Sequence, residues 1–549
     1  MLKFSVSHAR GITSLVGKHN FRNVNMKLSP SVLSSASFST SNDDDNKPAA
    51  SETKKGGIFD KIWGVESNVA SKTFTNRWAM VVPAFFTHMC IGSPYAWSMM
   101  GDQITREYGF VASSATDWTL MQAALPLSIV FGFHGLTASL AGKWQMKVGA
   151  RKALAIAATS FGGGLVLGAA GIHYHCLPLL YCGYGLLGGA GIGISYTPPI
   201  QTLFNWFPDK KGLASGLTVA GFGSGALVFT PMVQKLTKFY STLPEYLGPA
   251  DKFVTSVVDG KLMADVNGKF VEVIQAGSAE LAKIPYELSE GLYVVGTGST
   301  GAAEALATMG LGYFSIMMAS SLVLKSPHPE VVATLPQPVV VDAKPEPTNE
   351  LAPKVVHNIS VDNAMKTPQF YLLGATFCGL SAGGMGLFSV AKPMMSEVFA
   401  ASMPVLVTSA FAGSFVLMLS SGNLGGRIGW AAISDRMGPR KTFLAFTLAS
   451  IPLYLAIPTV VENVVMTKEA LPLYGFCAGT TLAVSMMGGG FSVMPAYEAD
   501  LFGAKYVGAI HGRMLLFMSA ASIGGPMMLL KLRSIAEQDA VRKLMENVC

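Results

Sequence analysis

The 549-residue chain contains little charge, since only 13% of its residues are Asp, Glu, Lys or Arg while 50% are hydrophobic. Soluble domains carry about 25% charged residues. The mean hydropathy is +0.41, and many apolar runs exceed the roughly 18 residues that mark a membrane-spanning helix. The scarcity of charge excludes a soluble protein and predicts an all-α polytopic membrane protein.

Cysteine is also scarce, with six in the chain and no C-x-x-C pair. We therefore expect inert membrane thiols, no metal site and no cofactor. The net charge of +7 lies mainly in loops and in the N-terminal extension. It indicates membrane topology and targeting rather than nucleic-acid binding. The apolar runs carry no nucleophile–base pair, which disfavours a membrane-embedded enzyme.

The N-terminal segment lacks acidic residues before Asp43 and lacks a long apolar core, which disfavours a secretory signal. It is basic and rich in serine, a composition typical of organellar transit peptides. Residues 1–60 are therefore predicted to be a transit peptide and disordered linker. We expect the mitochondrial inner membrane as the destination. A plastid membrane, the plasma membrane and a plain disordered tail are the alternatives.

Eleven apolar runs predict membrane spans, six before a proline-rich linker at residues 326–366 and five after it. We call them span one to span eleven. Their predicted starts are Trp78, Trp118, Ala153, Pro178, Gly212, Ala305, Phe370, Pro404, Phe443, Leu471 and Val507. Lys and Arg in the short loops place the N-terminus on the inner side. The predicted domains are an N-terminal half at 77–325, a C-terminal half at 367–532 and a polar tail at 533–549.

Two features stand out in the first half. A polar, non-membrane insert at residues 234–303 separates spans five and six, and a hairpin is predicted to turn at Asn267–Gly268. Span four ends near Pro198-Pro199, and these prolines should break or bend its helix.

An internal repeat relates the two parts of the chain. Gly149-Ala150-Arg151-Lys152 follows span two, and Gly438-Pro439-Arg440-Lys441 follows span eight. Gly212-x-x-x-Gly216 in span five is matched by Gly508-x-x-x-Gly512 in span eleven. Two homologous halves of six spans are typical of secondary transporters.

The turn from Asp435 to Lys441, DRMGPRK, resembles the loop signature of the major facilitator superfamily. Three longer segments resemble, more narrowly, the oxalate/formate antiporter family, which is monocarboxylate transporter-like. They are YTPPIQTLFNWFPDKKGLASGLTVAGFGSGALVF, PAYEADLFGAKYVGAIHGR and NLGGRIGWAAISDRMG. The resemblance implies a major facilitator fold of two pseudo-symmetric six-helix halves. It also implies transport of small carboxylates by alternating access.

Three departures from that pattern matter. Met146 stands where the first-half signature would carry aspartate, which puts a charged gate there in doubt. Span eleven has no lysine within it, so a monoanion is expected over a dianion. A twelfth helix is absent from the sequence, and we expect an incomplete chain rather than one that ends at eleven spans.

Arg427 is the first candidate for substrate binding. It precedes Asp435 by eight residues, or about 12 Å of helix, and the hydrocarbon core is about 30 Å thick. Arg427 is therefore expected near the midplane, where its guanidinium can hold a carboxylate by two hydrogen bonds. The alternative is a structural arginine paired inside the bundle.

Other candidates carry a structural alternative too. Tyr95, Trp97 and Tyr196 would wall a small-anion pocket or merely pack. His88 and His134 would relay protons or remain neutral core side chains. The residues expected to gate the inner side, or only to set topology, are Asp435, Arg436, Gly438, Arg440 and Lys441, with Gly149, Arg151 and Lys152 in the first half.

The sequence therefore predicts a secondary active transporter of formate-, oxalate-, lactate- or pyruvate-like acids, by exchange or proton coupling. Its partners would be the small organic anion, protons and the lipid bilayer, with no nucleic acid, and we expect a monomer. The alternative is a non-transporting membrane receptor or assembly factor that kept the fold.

Overall fold

The computed structural model describes residues 65–266, 268–281, 286–336 and 358–548. The predicted transit peptide at 1–60, the middle of the linker and Asn267 lie outside the described residues. Eight helices of the described part are long and apolar enough to cross a membrane, and they contain spans two to seven and nine to eleven, with spans two and three in one helix. The predicted polytopic helical membrane protein is confirmed.

Span one is interrupted, with helices Val81–Ile91 and Trp97–Ile104 joined by a 3-10 turn, Ser93–Ala96, that contains Pro94. Spans two and three share the stretch Leu120–His173, which changes direction at Gly149 (φ 82°, ψ 163°). Positive φ is a conformation that glycine adopts without the steric cost of a Cβ atom. Spans four to six comprise Leu177–Leu180, the π-helical turn Tyr181–Gly188, and helices Gly189–Trp206, Lys211–Tyr240 and Ala302–Val323.

Span four does not break at its proline pair, because helix Gly189–Trp206 runs through both residues. Pro198 has no N–H for the carbonyl of Ile194, one turn earlier. The side-chain amide of Gln145, in span two, donates to that carbonyl at 2.8 Å. A neighbouring helix thus satisfies the polar group that proline leaves exposed in an apolar environment.

In the described part of the second half there are five long helices. Spans seven to eleven are Pro368–Pro393, Ser409–Met437, Pro439–Thr467, Ala470–Phe502 and Val507–Val548. The predicted polar tail continues the last of these helices without interruption. Gly438 has φ 87° and ψ 146°, close to the angles of Gly149. The repeated glycines thus make the same sharp turn, which supports the division into two halves that we propose.

The insert folds as a five-stranded antiparallel sheet in the order β1-β5-β4-β3-β2. Its strands are β1 Tyr246–Gly248, β2 Thr255–Val258, β3 Lys261–Val266, β4 Lys269–Ala276 and β5 Gly291–Val294. Strands β3 and β4 pair from Val266–Lys269 outward, as the predicted hairpin requires. The helix of span five reaches Tyr240, so the sheet begins later than the predicted insert.

Small residues bring the two halves together along two helix pairs. A Cβ atom at Gly216 in span five would lie 2.6 Å from Ala431 Cβ in span eight. Ser519 in span eleven donates to the carbonyl of Phe131 in span two at 2.7 Å. Close approach at small residues is the usual basis of helix association in membranes. The buried polar residues of interest lie between these pairs.

Candidate functional site

Arg427 is fully buried, with an exposed fraction of 0%. Its Nε donates to Asn423 Oδ1 at 2.8 Å, one turn earlier in span eight. Its Nη1 donates to the carbonyl of Val219 in span five at 2.9 Å. Its Nη2 makes no hydrogen bond of standard geometry, and the Tyr95 hydroxyl is the side-chain group that interacts with the guanidinium. The guanidinium therefore bridges the halves and keeps one donor nitrogen free.

Aromatic rings cover the guanidinium on two sides. Its carbon lies 4.9 Å from the ring centre of Phe491 and 5.5 Å from that of Phe222. Aromatic faces attract cations and exclude water. Tyr95 lies within electrostatic range of Arg427, and its ring centre is 5.5 Å from that of Phe222. Of the predicted pocket residues, Tyr95 is therefore beside Arg427.

Glycine in span five leaves room for the arginine side chain. A Cβ atom at Gly223 would lie 3.0 Å from both Cδ and Nε of Arg427. That separation is tighter than ordinary van der Waals contact, so the arginine would have to shift. No individual role for this glycine was predicted from the sequence.

Tyr196 lies at the centre of a cluster of buried rings. Its ring centre is 5.1 Å from His88, 5.2 Å from His134 and 5.8 Å from Phe222. The Tyr196 hydroxyl, both ring nitrogens of His134 and His88 Nε2 have no hydrogen-bond partner. His88 Nδ1 lies 3.2 Å from the carbonyl of Ala84. The two predicted proton candidates therefore flank one tyrosine.

Sequence reasoning missed a buried pair next to this cluster. His511 Nδ1 lies 2.9 Å from Glu498 Oε1, and their side chains are 1% and 0% exposed. The His511 ring stacks on Tyr196 at 5.8 Å between centres. A signal was present, because ionisable residues inside spans are functional candidates by default. Glu498, however, directly follows the predicted end of span ten at Tyr497.

Trp97 lies in a different environment. Its indole N–H donates to the carbonyl of Ala123 at 2.8 Å, and its ring stacks on Tyr184 at 4.1 Å. Both contacts are within the first half, and they satisfy the polar atom of the side chain. This environment favours the packing role that was the alternative for Trp97.

The signature turn of the second half contacts the first half. The carboxylate of Asp435 accepts the backbone N–H groups of Gly212 at 2.8 Å and Leu213 at 2.7 Å. These groups lie at the N-terminus of span five, where a negative charge is favourable. Arg436, Arg440 and Lys441 are exposed. The turn thus joins the halves through its acid.

The first-half turn has other partners. The backbone N–H of Arg151 donates to Asn68 Oδ1 at 3.1 Å, and its guanidinium donates to the carbonyl of Leu322. Gly149 packs on Asn68, and Met146 is 42% exposed. Lys152 is partly exposed. The described contacts of this turn hold the N-terminal segment and the end of span six.

The electrostatics of the interior concentrate on few groups. No carboxylate of the described residues lies within ion-pair distance of Arg427. A buried charge without such a partner is costly. The described residues contain no group of three or more His, Cys, Asp or Glu able to hold a metal. The arrangement can bind an anion at Arg427 and exchange protons at the imidazole and carboxylate groups.

Curated relatives span most of the chain. It is 26% identical over 460 residues to the oxalate:formate antiporter of Oxalobacter formigenes, covering 82% of this chain and 83% of that protein. It is 24% identical over 507 residues to apicoplast pyruvate carrier 1 of Toxoplasma gondii, covering 83% and 85%. Among solved structures, the major facilitator transporter FucP in the outward conformation covers 84% of this chain and 93% of its own, at 12% identity and a TM-score of 0.49. No protein-family model matches the chain.

Proposed function

We propose that this chain carries small carboxylates across a membrane by alternating access. The premise is that it is a relative of major facilitator transporters and resembles the oxalate/formate antiporters. The resemblance predicted from the signature turn is confirmed by these relatives. The observation that carries the proposal is Arg427, a buried guanidinium with a free donor nitrogen and no carboxylate of the described residues beside it.

The proposed binding step uses the charge of Arg427. A substrate carboxylate would accept from the free Nη2 and would supply the missing negative charge. The Asn423 contact fixes the guanidinium, and Phe222 and Phe491 exclude water from it. Because the described interior offers one such cation, a monocarboxylate fits better than a dianion.

The proposed transport step rocks the two halves about this site. Arg427 already bonds to both halves, through Asn423 and through the carbonyl of Val219. A substrate that replaces the Val219 contact would loosen the attachment between spans five and eight. Opening on the inner side would also require Asp435 to leave the N-terminus of span five.

Counterflow in proteoliposomes tests this function. Purified protein is reconstituted with unlabelled formate, oxalate, lactate or pyruvate inside, and uptake of the labelled acid is followed. We expect uptake of at least one monocarboxylate above protein-free vesicles, with oxalate carried less well. Folded protein that carries none of the four acids would contradict the proposal and would favour a receptor or assembly factor.

An organellar membrane is our proposal for the location. The basic, acid-poor segment before Asp43 supports it, as does the similarity to a carrier named for the apicoplast. Fusion of residues 1–60 to a fluorescent protein tests it. Fluorescence that stays in the cytosol would overturn the targeting proposal.

A further inference from the structure

The Glu498–His511 pair lies on the inner side of Arg427. Glu498 is four residues before the end of span ten, and His511 is four residues after the start of span eleven. Each is therefore about 6 Å from the inner end of its helix, whereas Arg427, ten residues before Met437, is about 15 Å from the end of span eight. The pair thus lies between the proposed binding site and the inner surface.

Two aromatic rings connect the pair to Arg427. The His511 ring stacks on Tyr196, Tyr196 contacts Phe222, and Phe222 lies under the guanidinium. Tyr196 and Phe222 belong to the first half, whereas Arg427 and the pair belong to the second. Rocking of the halves would therefore change the surroundings of both sites together.

The pair lacks the partners that a purely structural ion pair would have. Glu498 Oε2 and His511 Nε2 make no hydrogen bond, although both atoms are buried. Buried polar networks that serve only the fold are normally satisfied at each atom. Free positions on both members leave room for an additional proton.

The titratable groups that face the pair come from several spans. Tyr196 of span four is in ring contact with His511, and His134 of span two and His88 of span one lie within electrostatic range of it. Arg427 of span eight lies within electrostatic range of Tyr196, the residue that contacts His511. The facing histidines are buried without an acidic partner, and Glu498 is the acid of this cluster.

We propose, on the basis of the proposed carboxylate transport, that the Glu498–His511 pair binds the proton that accompanies a monocarboxylate. In the empty protein, Arg427 carries one positive charge and the Glu498–His511 pair carries one negative charge. In the loaded protein, the carboxylate offsets Arg427 and one proton offsets Glu498. The interior is therefore neutral in both forms, which lowers the barrier to rocking.

The proton moves without any other bond change. On one side of the membrane, water delivers a proton and an O–H bond forms on Glu498 or an N–H bond on His511. On the other side the same bond breaks, and the proton returns to water as the carboxylate leaves Arg427. Exchange of one loaded acid for another needs no release of the proton, whereas net uptake does.

The proposal is tested by comparing net uptake, which needs release of the proton, with exchange, which does not. Proteoliposomes containing the full chain are assayed with labelled pyruvate and formate in two ways, as uptake driven by an acidic exterior and as counterflow at equal pH. Glu498→Gln keeps the neutral, loaded-like form. We expect it to lose pH-driven uptake by about 100-fold, the factor for an uncompensated charge inside the membrane, while counterflow falls far less. Glu469→Gln, at the exposed opposite end of the same helix, is the matched control.

Each outcome decides the question. If the wild type shows no counterflow with any acid, the proposed function fails. If the wild type shows counterflow but Glu498→Gln retains pH-driven uptake, or loses both activities equally while folded, the proton site is overturned. If the glutamine variant does not fold, Glu498→Asp and His511→Gln replace it. If the pH profile of uptake is the same in Glu498→Asp and in His511→Gln as in the wild type, the proposal is also overturned.

Discussion

Gln201 in span four accepts the backbone N–H of Gly508, in the first turn of span eleven, at 2.9 Å. Its amide also donates to the carbonyl of Ala504 at 3.1 Å. In the other direction, Asp435 of span eight accepts from the N-terminus of span five. Each half thus holds the start of a helix of the other half. One of these contacts is charged and the other is neutral.

This asymmetry follows from the two signature turns. Where Asp435 stands in the second half, the first half has the exposed Met146, which offers no acceptor. Gln201 supplies an acceptor from a different span. Span four therefore provides an uncharged contact in the half whose signature turn lacks the acid.

Arg427→Lys should reduce counterflow of monocarboxylates by about 10- to 100-fold, which corresponds to the loss of one charge-assisted hydrogen bond. Lysine keeps the charge but cannot bond to Asn423, Val219 and a substrate through a planar fork. The measurement is the initial rate of labelled pyruvate or formate counterflow. Arg106→Lys, in the loop between spans one and two, is the control. Full transport of each acid by Arg427→Lys would contradict a substrate role.

Gly223→Ala should impair transport about tenfold while the protein still folds, since the new Cβ atom displaces the Arg427 side chain. Gly425→Ala is the matched control, because a Cβ atom there meets nothing within 4 Å. Initial rates and melting temperatures of both variants are compared. Equal rates in the two would show that the position of Arg427 is not critical.

Asp435→Asn should open the inner side more often, because an asparagine lacks the charge that favours a helix N-terminus. A negative charge at a helix N-terminus is worth about 0.3–1 kcal/mol, so we expect a rise of roughly 2- to 5-fold in the reactivity of a buried probe. Ser215→Cys, in a background without native cysteines, places the probe one turn below the contact. Reaction with a charged thiol reagent from the inner side is timed.

The exposed Asp251→Asn in the insert is the control for that experiment. Gln201→Leu should have a similar effect to Asp435→Asn but without dependence on salt, because the bond it removes is neutral. A probe that reacts equally fast in the wild type and in all three variants would show that the Asp435 and Gln201 contacts do not keep the inner side closed.

Glu107→Gln, a substitution on the outer side of the protein, should alter how the stability of the folded state depends on pH. Glu107 accepts from the hydroxyls of Ser299 and Thr300, near the C-terminal end of the insert. Burial raises the pKa of the Glu107 carboxyl, against the opposing effect of these hydrogen bonds. The folded state therefore keeps its proton to higher pH than the unfolded state. Its stabilising contribution is present at acidic pH and is lost as the pH rises through the raised pKa.

Melting temperatures across this pH range measure the effect. At neutral pH the melting temperature of the glutamine variant should exceed that of the wild type by about 2 °C. This difference should vanish at acidic pH. Glu245→Gln, an exposed residue of the insert, serves as the control. A difference between wild type and Glu107→Gln that does not change with pH would contradict this account.

The sequence alone determined the membrane class, most helices and the individual candidates. Long apolar runs can satisfy their backbone only as helices in lipid, and a lone Arg427 in such a run predicts an anion site. The glycine turns at Gly149 and Gly438 were visible as a repeat. The hairpin after Lys261 was visible in its turn residues.

Only the tertiary structure decided which of these residues meet. Tyr196 joins His88, His134 and His511 because four spans from both halves converge on it. The sequence gives no distance between spans, so it could neither separate Trp97 from the Arg427 cluster nor pair Glu498 with His511. Gln145 likewise shows how the helix of span four continues through Pro198, since the missing hydrogen bond to Ile194 is replaced from a neighbouring helix. Helix formation is local, whereas the satisfaction of buried polar groups depends on what the fold brings alongside.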